Sequence, residues 1–283
     1  PLWYLQEAEG IRQDVTVVVT SYLNLEWYVK QLRDITAPCL SGTQASDSRT
    51  TIVCQRPYDP QEGEPLYTVD PATASSQGRI AILTERRVAP PTRSILPLDD
   101  ETIDQVAGPA GYVSLAEETD FPLGPVVARI AGETTIFPWQ QFALLLIQNS
   151  VEDRPIYFAS SGSAARDLGV VPYLVRHGLA LRLYPGPPDV SPRNVLLEDE
   201  GLLRVTGPWL DAERTRTLAE EVFIHRSGIP DEWSHWPDRS TVGIPNYYAW
   251  VFAALAQGAL QAGEEGLRFE YESRLIAWQT LGR

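Results

Sequence analysis

The loop Trp233-Ser-His-Trp236 has the residue types that most resemble a contact site. Two indole rings flank an imidazole, and each ring offers a wide apolar face together with one N–H donor. Such rings are common where proteins bind sugars or other proteins, although they serve equally well to pack a loop onto neighbouring helices. The sequence predicts a partner-contact site that consists of Trp233, His235 and Trp236, with Tyr247 and Trp250 from the start of the next helix.

Two further patterns suggest ligand or metal chemistry only weakly. Ser160-Ser-Gly-Ser163 follows a predicted strand, where a phosphate-binding loop would lie, but it contains one glycine and neither nucleotide-binding fingerprint. Glu221 and His225 lie four residues apart on a predicted helix, but no third ligand stands at a metal-binding spacing. A plain turn and a surface Glu–His pair explain these patterns better. The sequence therefore predicts no catalytic, cofactor-binding or metal-binding residue.

The elements that would position these residues begin with two strand–helix units. Residues 14–20 form an apolar, β-branched run that predicts a buried strand. Apolar residues then recur at helical spacing over 25–32, with Asn24 as the predicted N-cap. Residues 155–159 form the second apolar run. We expect 15–19 and 156–159 to lie in one sheet, because continuous apolar strands joined by helices need cover on both faces.

The rest of the chain is predicted to add short helices and hairpins. The predicted elements are a helix at 99–106, a hairpin at 125–136 that turns at Ala131-Gly132, a helix at 138–148, a strand at 179–184, a hairpin that pairs 195–197 with 202–205, and helices at 211–225, 246–262 and 264–281. The fold class is α/β, with a mixed or mostly parallel sheet flanked by helices, β-hairpins and a C-terminal tetratricopeptide-like helical hairpin. We expect an α/β domain at 1–225, with an irregular insertion at 36–77, and a loop plus helical hairpin at 226–283 packed on it.

The composition disfavours several kinds of partner. The 283 residues carry a net charge of −14, which opposes binding to nucleic acid or to an anionic membrane surface. No apolar run reaches the roughly 18 residues that a membrane helix needs, so we expect no membrane span in this chain. Methionine is absent even at position 1, so we expect the natural chain to extend upstream of Pro1.

Several motifs along the chain resemble those of one family. They are PLWYLQ at 1–6, DV-x-VV at 14–18, WY-x-x-QL at 27–32, RPIYFA at 154–159 and Asn246-Tyr247 ahead of a helical hairpin. This set resembles the soluble C-terminal part of the bacterial transmembrane protein O-mannosyltransferase-like family, formerly a domain of unknown function. The family's DNDT-like segment and membrane half, where its glycosyl-transfer acids are expected, are not among the 283 residues. The resemblance therefore assigns no catalytic residue here.

The resemblance implies an extracytoplasmic domain that is tied to a membrane protein. We expect a non-catalytic accessory or structural domain that docks on an integral membrane protein or membrane complex at its periplasmic or extracytoplasmic face. The alternative is an acceptor- or glycan-recognition module of a membrane O-glycosyltransferase-like enzyme, which would require a sugar or peptide site. No cofactor and no nucleic acid partner are expected.

Cys39 and Cys54 are the only cysteines, and they flank a loop that a disulfide would close. In the chain-entropy model such a bond stabilises the fold by roughly 3 kcal/mol, whereas the alternative is a pair of buried thiols. We predict that the two cysteines are bonded if the domain is extracytoplasmic. Thiol labelling of the unreduced, denatured protein should then give no adduct, and two labelled cysteines would contradict the pairing.

Overall fold

The computed structural model describes residues 15–39, 54, 93–152, 154–159, 163–186, 188–191, 193–198, 200, 203, 207–223, 225 and 228–282. They divide into two compact units. The first unit contains the described residues up to Ile156 together with Asp167–Gly169, and the second contains Tyr157–Arg166 and those from Val170 onwards. This grouping differs from the sequence-based domains, because the main sheet and the C-terminal helices fall in the same unit.

The first unit combines helices with two small antiparallel sheets. Its described elements are a 3-10 turn at Thr20–Asn24, α1 at Glu26–Ile35, α2 at Asp100–Ala107, a 3-10 turn at Pro109–Gly111, β1 at Val113–Leu115, β2 at Thr119–Leu123, β3 at Val126–Ile130, β4 at Thr134–Ile136 and α3 at Pro138–Ser150. Tyr28, Val29 and Leu32 are buried on one face of α1, as the helical spacing predicts.

Residues 15–19 do not belong to a strand in the described structure, so the predicted first strand is wrong. The side chain of Tyr28 makes hydrogen bonds to the backbone of Val17 and Val19. The hydroxyl of Tyr28 accepts the N–H of Val19 at 2.9 Å and donates to the carbonyl of Val17 at 3.4 Å. Because these residues lie in the first unit and the strand at 156–159 belongs to the sheet of the second, the expectation of one shared sheet is also wrong.

Asn24 caps a different helix from the one that the sequence predicts. Leu25 occupies the N-cap position of α1 and makes no side-chain cap. The amide oxygen of Asn24 instead accepts the N–H of Trp139, in the first turn of α3, at 3.2 Å across a separation of 115 residues. Phe137, which precedes α3, has no side-chain acceptor of its own, so Asn24 satisfies an N–H that the helix leaves open.

Helix α2 begins as predicted and is fixed to α1 by ion pairs. The carboxylate of Asp99 caps α2 by accepting the N–H of Thr102 at 2.8 Å. The Arg33 guanidinium lies 2.5 Å from the carboxylate of Asp100, and Lys30 Nζ lies 2.5 Å from that of Asp104. The register between these two helices is therefore set by charge as well as by packing.

The predicted hairpin at 125–136 has the wrong turn. Strand β2 pairs with β3 and turns at Gly124, which has a φ of 68°. Such a positive φ is easily adopted by glycine because it has no Cβ. Strands β1 and β4 pair outside this hairpin, with Ser114 opposite Thr135. Residues Ala131 and Gly132 therefore lie between β3 and β4 and form no turn between paired neighbours.

The second unit contains a five-stranded mixed sheet and a helical hairpin, which confirms the predicted fold class. Its described elements are β5 at Ile156–Ala159, α4 at Ser163–Asp167, a 3-10 turn at Val171–Tyr173, β6 at Leu174–His177, β7 at Ala180–Leu183, β8 at Asn194–Leu196, β9 at Trp209–Asp211, α5 at Ala212–Thr217, a π-helical turn at Leu218–Val222, a 3-10 turn at Arg239–Thr241, α6 at Gly243–Gln261 and α7 at Glu265–Leu281. The strand order is β5-β7-β6-β9-β8, in which β6 runs parallel to β9 and antiparallel to β7.

The two faces of this sheet differ in chemistry. Alternation along the paired strands places Leu174, Leu181, Leu183, Val195 and Leu210 on one face, where all five are buried. Helix α6 packs there, since a Cβ added to its residue 258 would lie 3.2 Å from the side chain of Leu210. The opposite face carries His177, Arg182 and Asp211 beside the apolar Val175 and Trp209, and we call it the polar face.

Helices α6 and α7 form the predicted C-terminal hairpin, which turns at Gly263 with a φ of 73°. Phe252 and Leu255 of α6 meet Tyr271, Trp278 and Leu281 of α7 in one buried cluster. Helix α6 is apolar on nearly all sides because it separates α7 from the sheet. No helix that the structure describes is both long and apolar enough to cross a membrane.

Other local predictions need correction or lie outside the described residues. The structure describes β9 as a partner of β8, and the partner predicted for it, residues 202–205, lies outside the described residues except for Leu203. The helix predicted at 211–225 ends at Val222, before His225. The predictions for residues 1–14, for most of the insertion at 36–77 and for residues 160–162 fall outside the described residues.

We predict that Tyr28→Phe lowers the free energy of unfolding by about 1–2 kcal/mol. The variant keeps the ring but leaves the Val19 N–H without the hydroxyl that accepts it. Urea denaturation measures the loss. Tyr112→Phe, at an exposed tyrosine of the same unit, is the matched control and should change stability by less than about 0.5 kcal/mol. Equal losses in both variants would contradict the role of the Tyr28 hydroxyl.

Candidate functional site

The predicted tryptophan loop lies between the π-helical turn and α6, in the second unit. The ring centroids of Trp233 and Trp236 are 6.0 Å apart with planes tilted by 39°. Trp236 donates its indole N–H to Thr241 Oγ1 at 2.9 Å. Both indoles are half-buried, and the intervening His235 is exposed. The two tryptophans differ in their contacts, because Trp233 packs against the hairpin cluster and Trp236 is hydrogen-bonded to Thr241.

Asp238 makes hydrogen bonds to Ser240 and Thr241, and Thr241 is the acceptor for the Trp236 indole. Its carboxylate accepts the N–H of Ser240 at 2.9 Å, the hydroxyl of Ser240 at 2.8 Å and the hydroxyl of Thr241 at 3.1 Å. These bonds, led by the backbone N–H, lower the pKa of Asp238. Thr241 accepts the indole N–H of Trp236, so the position of that indole is fixed through Asp238.

The aromatic residues of the hairpin divide between core and surface. Phe252, Tyr271 and Trp278 are buried, and the rings of Tyr248 and Trp278 stack with centroids 4.4 Å apart. Tyr247 and Trp250 are half-buried and form an edge-on pair with centroids 5.1 Å apart. Four of the five residues of the predicted contact site therefore form two ring pairs, one on the loop and one on α6.

His225 is not placed as a metal ligand. Its ring lies edge-on to Tyr248 and Trp278, with centroids 5.1 Å and 4.9 Å away, and desolvation lowers its pKa. Glu221 is exposed on the π-helical turn, so the regular helical spacing assumed for the pair does not apply. Among the described residues there is no group of three or more His, Cys, Asp and Glu side chains able to hold a metal ion.

Cys39 and Cys54 are joined by a disulfide in the first unit, with Cα atoms 5.0 Å apart. Fifteen positions separate them in sequence. The sequence allowed either a disulfide or two thiols, and the structure shows the disulfide. The thiol-labelling outcome remains a prediction about the protein in its compartment.

Sequence reasoning missed a polar cluster on the polar face of the sheet. Because β6 and β9 run parallel, with Arg176 opposite Leu210, the next residues His177 and Asp211 come side by side at the same edge. Tyr157 from β5 and Tyr184, which follows β7, complete the cluster around the imidazole. We call these four residues the His177 cluster.

Both nitrogens of His177 have tyrosine partners. Nδ1 lies 3.4 Å from the hydroxyl of Tyr157, and Nε2 lies 3.3 Å from that of Tyr184 and 3.7 Å from Asp211 Oδ2. His177 is 4 % exposed. Burial, and then the positive charges of Arg214, Arg182 and Arg193, lower the pKa of His177 to about 3, so the ring is neutral at pH 7.

Asp211 connects the His177 cluster to the fold. Its side chain is fully buried, accepts the N–H of Arg214 at 2.9 Å as the N-cap of α5, and accepts Nε of Arg193 at 3.1 Å. The sequence predicted a helix that starts at Asp211. The segment Leu174–His177 has two apolar residues followed by Arg176 and His177, and it was not predicted as a strand.

Comparison with known proteins gives one partial match. Residues 1–41 match a family model described as TMEM260-associated domain 2. The structure describes residues 15–39 of that range, which include α1 and Cys39. No curated protein and no solved structure matches the chain. The match is consistent with the resemblance to transmembrane O-mannosyltransferases, and it covers a small share of the 283 residues.

We predict that the free energy of unfolding decreases as the pH falls from 7 to 5. The imidazole of the unfolded chain takes up a proton near pH 6.5, whereas folded His177, with its pKa lowered to about 3, does not. Its stabilising contribution is therefore full above pH 6.5 and is lost as the pH falls towards 3. One such histidine accounts for about 2 kcal/mol between pH 7 and 5.

Urea denaturation at pH 7 and at pH 5 measures this loss in the natural protein, in His177→Gln and in His235→Gln. In His177→Gln the difference in unfolding free energy should shrink by about 2 kcal/mol. In His235→Gln, which changes an exposed imidazole, the difference should match that of the natural protein. An unchanged pH dependence in His177→Gln would contradict the assignment.

Proposed function

We propose that this chain is a non-catalytic extracytoplasmic domain that docks on an integral membrane protein or membrane complex. The observation that carries the proposal is the surface of the C-terminal hairpin and its loop. Phe269 and Ile276 lie seven residues apart on one side of α7 and are 59 % and 62 % exposed. Trp236 adds a half-buried indole in the loop that precedes α6. Exposed apolar side chains of this size are typical of contact surfaces.

The comparison and the disulfide support the same proposal. The matching family model is described as TMEM260-associated domain 2, which agrees with the resemblance to a membrane-protein family. The Cys39–Cys54 bond fits an oxidising compartment such as the periplasm, because disulfides persist there and are rare in the cytosol. We therefore assign the docking face to the periplasmic or extracytoplasmic side of a bacterial membrane.

A second candidate is recognition of an acceptor peptide or glycan for a membrane O-glycosyltransferase-like enzyme. The tilted pair of Trp233 and Trp236 favours it, since adjacent indoles can stack on sugar rings. Calorimetric titration with glycans and acceptor peptides separates the two functions. Saturable heat that is lost in Trp236→Ala would favour recognition over docking.

We predict that the purified chain sediments with native membranes, and that Trp236→Ala reduces the bound fraction about tenfold. Loss of a central tryptophan typically costs an interface more than about 1 kcal/mol. The measurement is co-sedimentation with native membranes, with protease-shaved membranes and with pure lipid vesicles. Binding should depend on intact membrane proteins and should be absent from the vesicles, which consist of phosphatidylcholine alone.

Trp27→Ala provides the matched control, because Trp27 is 55 % exposed and lies in the first unit. It should leave membrane binding unchanged, and the melting temperatures of both variants should be compared with that of the natural chain. Binding lost in Trp27→Ala and kept in Trp236→Ala would contradict the loop as the docking site. A chain that never sediments with native membranes would contradict docking altogether.

A further inference from the structure

The polar face of the sheet gathers positive charge in a chain that is otherwise acidic. Arg182, Arg193 and Arg214 lie close enough to His177 for their charges to act on it. Asp211 is the carboxylate that faces the same imidazole, and the imidazole itself is neutral. The chain as a whole carries a net charge of −14. The surroundings of the His177 cluster are therefore locally positive.

The three arginines are not equivalent. Arg193 donates Nε to the carboxylate of Asp211, so part of its charge is compensated within the fold. The guanidinium carbon of Arg182 lies 4.8 Å from the ring centroid of Tyr184, above a surface that attracts cations without neutralising them. Arg182 is half-exposed. The Tyr184 ring therefore orients the planar guanidinium of Arg182 without neutralising its charge.

The His177 ring also determines which tyrosine keeps a hydroxyl proton for a ligand. A neutral imidazole has one N–H donor and one acceptor nitrogen, so one tyrosine hydroxyl donates to it and the other accepts from it. Asp211 Oδ2 lies 3.7 Å from Nε2, and its negative charge favours the tautomer with the proton on Nε2. Tyr157 then donates to Nδ1, and Tyr184 accepts from Nε2. The hydroxyl proton of Tyr184 remains available.

We propose that Arg182 and Tyr184, held by His177, bind a phosphate group on the polar face of the sheet. The guanidinium offers two parallel N–H donors and the adjacent hydroxyl offers a third. Inorganic phosphate or a phosphate monoester presents at least three terminal oxygens to such a set, whereas a carboxylate presents two. His177 acts as a positioning residue because it orients the Tyr184 hydroxyl. This site is separate from the docking surface at Trp236, and neither proposal depends on the other.

Imidazole resonances provide the test, because the chain has three histidines. The full chain is titrated with inorganic phosphate at pH 7 and constant ionic strength, and the ring signals are followed by NMR. His225→Gln and His235→Gln identify the remaining signal as that of His177. We expect a saturable shift of the His177 signal with phosphate and none with acetate or chloride. An absent shift, or an equal shift with acetate, would overturn the phosphate site.

Matched variants locate the binding group. Arg182→Gln should raise the dissociation constant for phosphate about tenfold. Arg268→Gln should leave the constant unchanged, although Arg268 lies over the ring of Phe269 at the same 4.8 Å. Tyr184→Phe should weaken binding more than Tyr157→Phe does, since only the first removes the free hydroxyl proton. Equal effects of Arg182→Gln and Arg268→Gln would overturn the site, provided that circular dichroism shows both variants folded.

A second arm of the experiment identifies the source of the phosphate. Vesicles of phosphatidic acid, a phosphate monoester, mixed with phosphatidylcholine are compared with vesicles of phosphatidylcholine alone by co-sedimentation. Arg182-dependent binding to the first kind alone indicates a lipid headgroup, whereas the NMR shift without vesicle binding indicates a soluble phosphate ester. Either result supports the site. An absent NMR shift would refute the site whatever the vesicles show, and it would leave the docking proposal intact.

Discussion

The buried carboxylate of Asp211 is the constraint on which much of the second unit depends. A carboxylate without solvent contact is costly unless its oxygens are hydrogen-bonded or paired with charge. Here one oxygen accepts the first free N–H of α5, and the other accepts the Arg193 guanidinium and faces His177. The end of β9, the start of α5 and the position of β8 are thereby fixed together. Replacing Asp211 would disturb a helix cap, a sheet edge and an imidazole at once.

The layering of the second unit follows from helix α6. A helix that is apolar on nearly all sides needs cover on nearly all sides. It obtains that cover from α7 on one side and from Val195 and Leu210 of the sheet on the other. Gly258 permits the close approach, because a Cβ there would lie 3.2 Å from the Leu210 side chain. On this face Arg176 is buried among the leucines, whereas His177, Arg182 and Asp211 lie on the opposite face.

Local sequence patterns predicted the helices well and the strand partners poorly. Apolar spacing and capping residues identified α1, α2, α3, α6 and α7, because those signals lie within one segment. Residues 15–19 have the composition of a strand, but the Tyr28 hydroxyl bonds to the backbone of Val17 and Val19, and composition does not reveal such a partner. Strand β6 was missed because Arg176 and His177 look solvent-exposed in sequence, although both are buried.

The candidate sites show the same limit. The tryptophan loop was found because its residues are adjacent in sequence. The His177 cluster combines residues from β5, β6, β9 and the end of β7, and their meeting depends on a parallel pairing of distant segments. No spacing within one segment encodes that register. Asn24 is similar, since its partner Trp139 is 115 residues away. Vectorial synthesis gives the position of α6 a further consequence. The strands of the sheet are synthesised before residues 243–261. The leucine-lined side of the sheet therefore stays uncovered until the last helices are made, and the nascent chain needs protection from aggregation during that time.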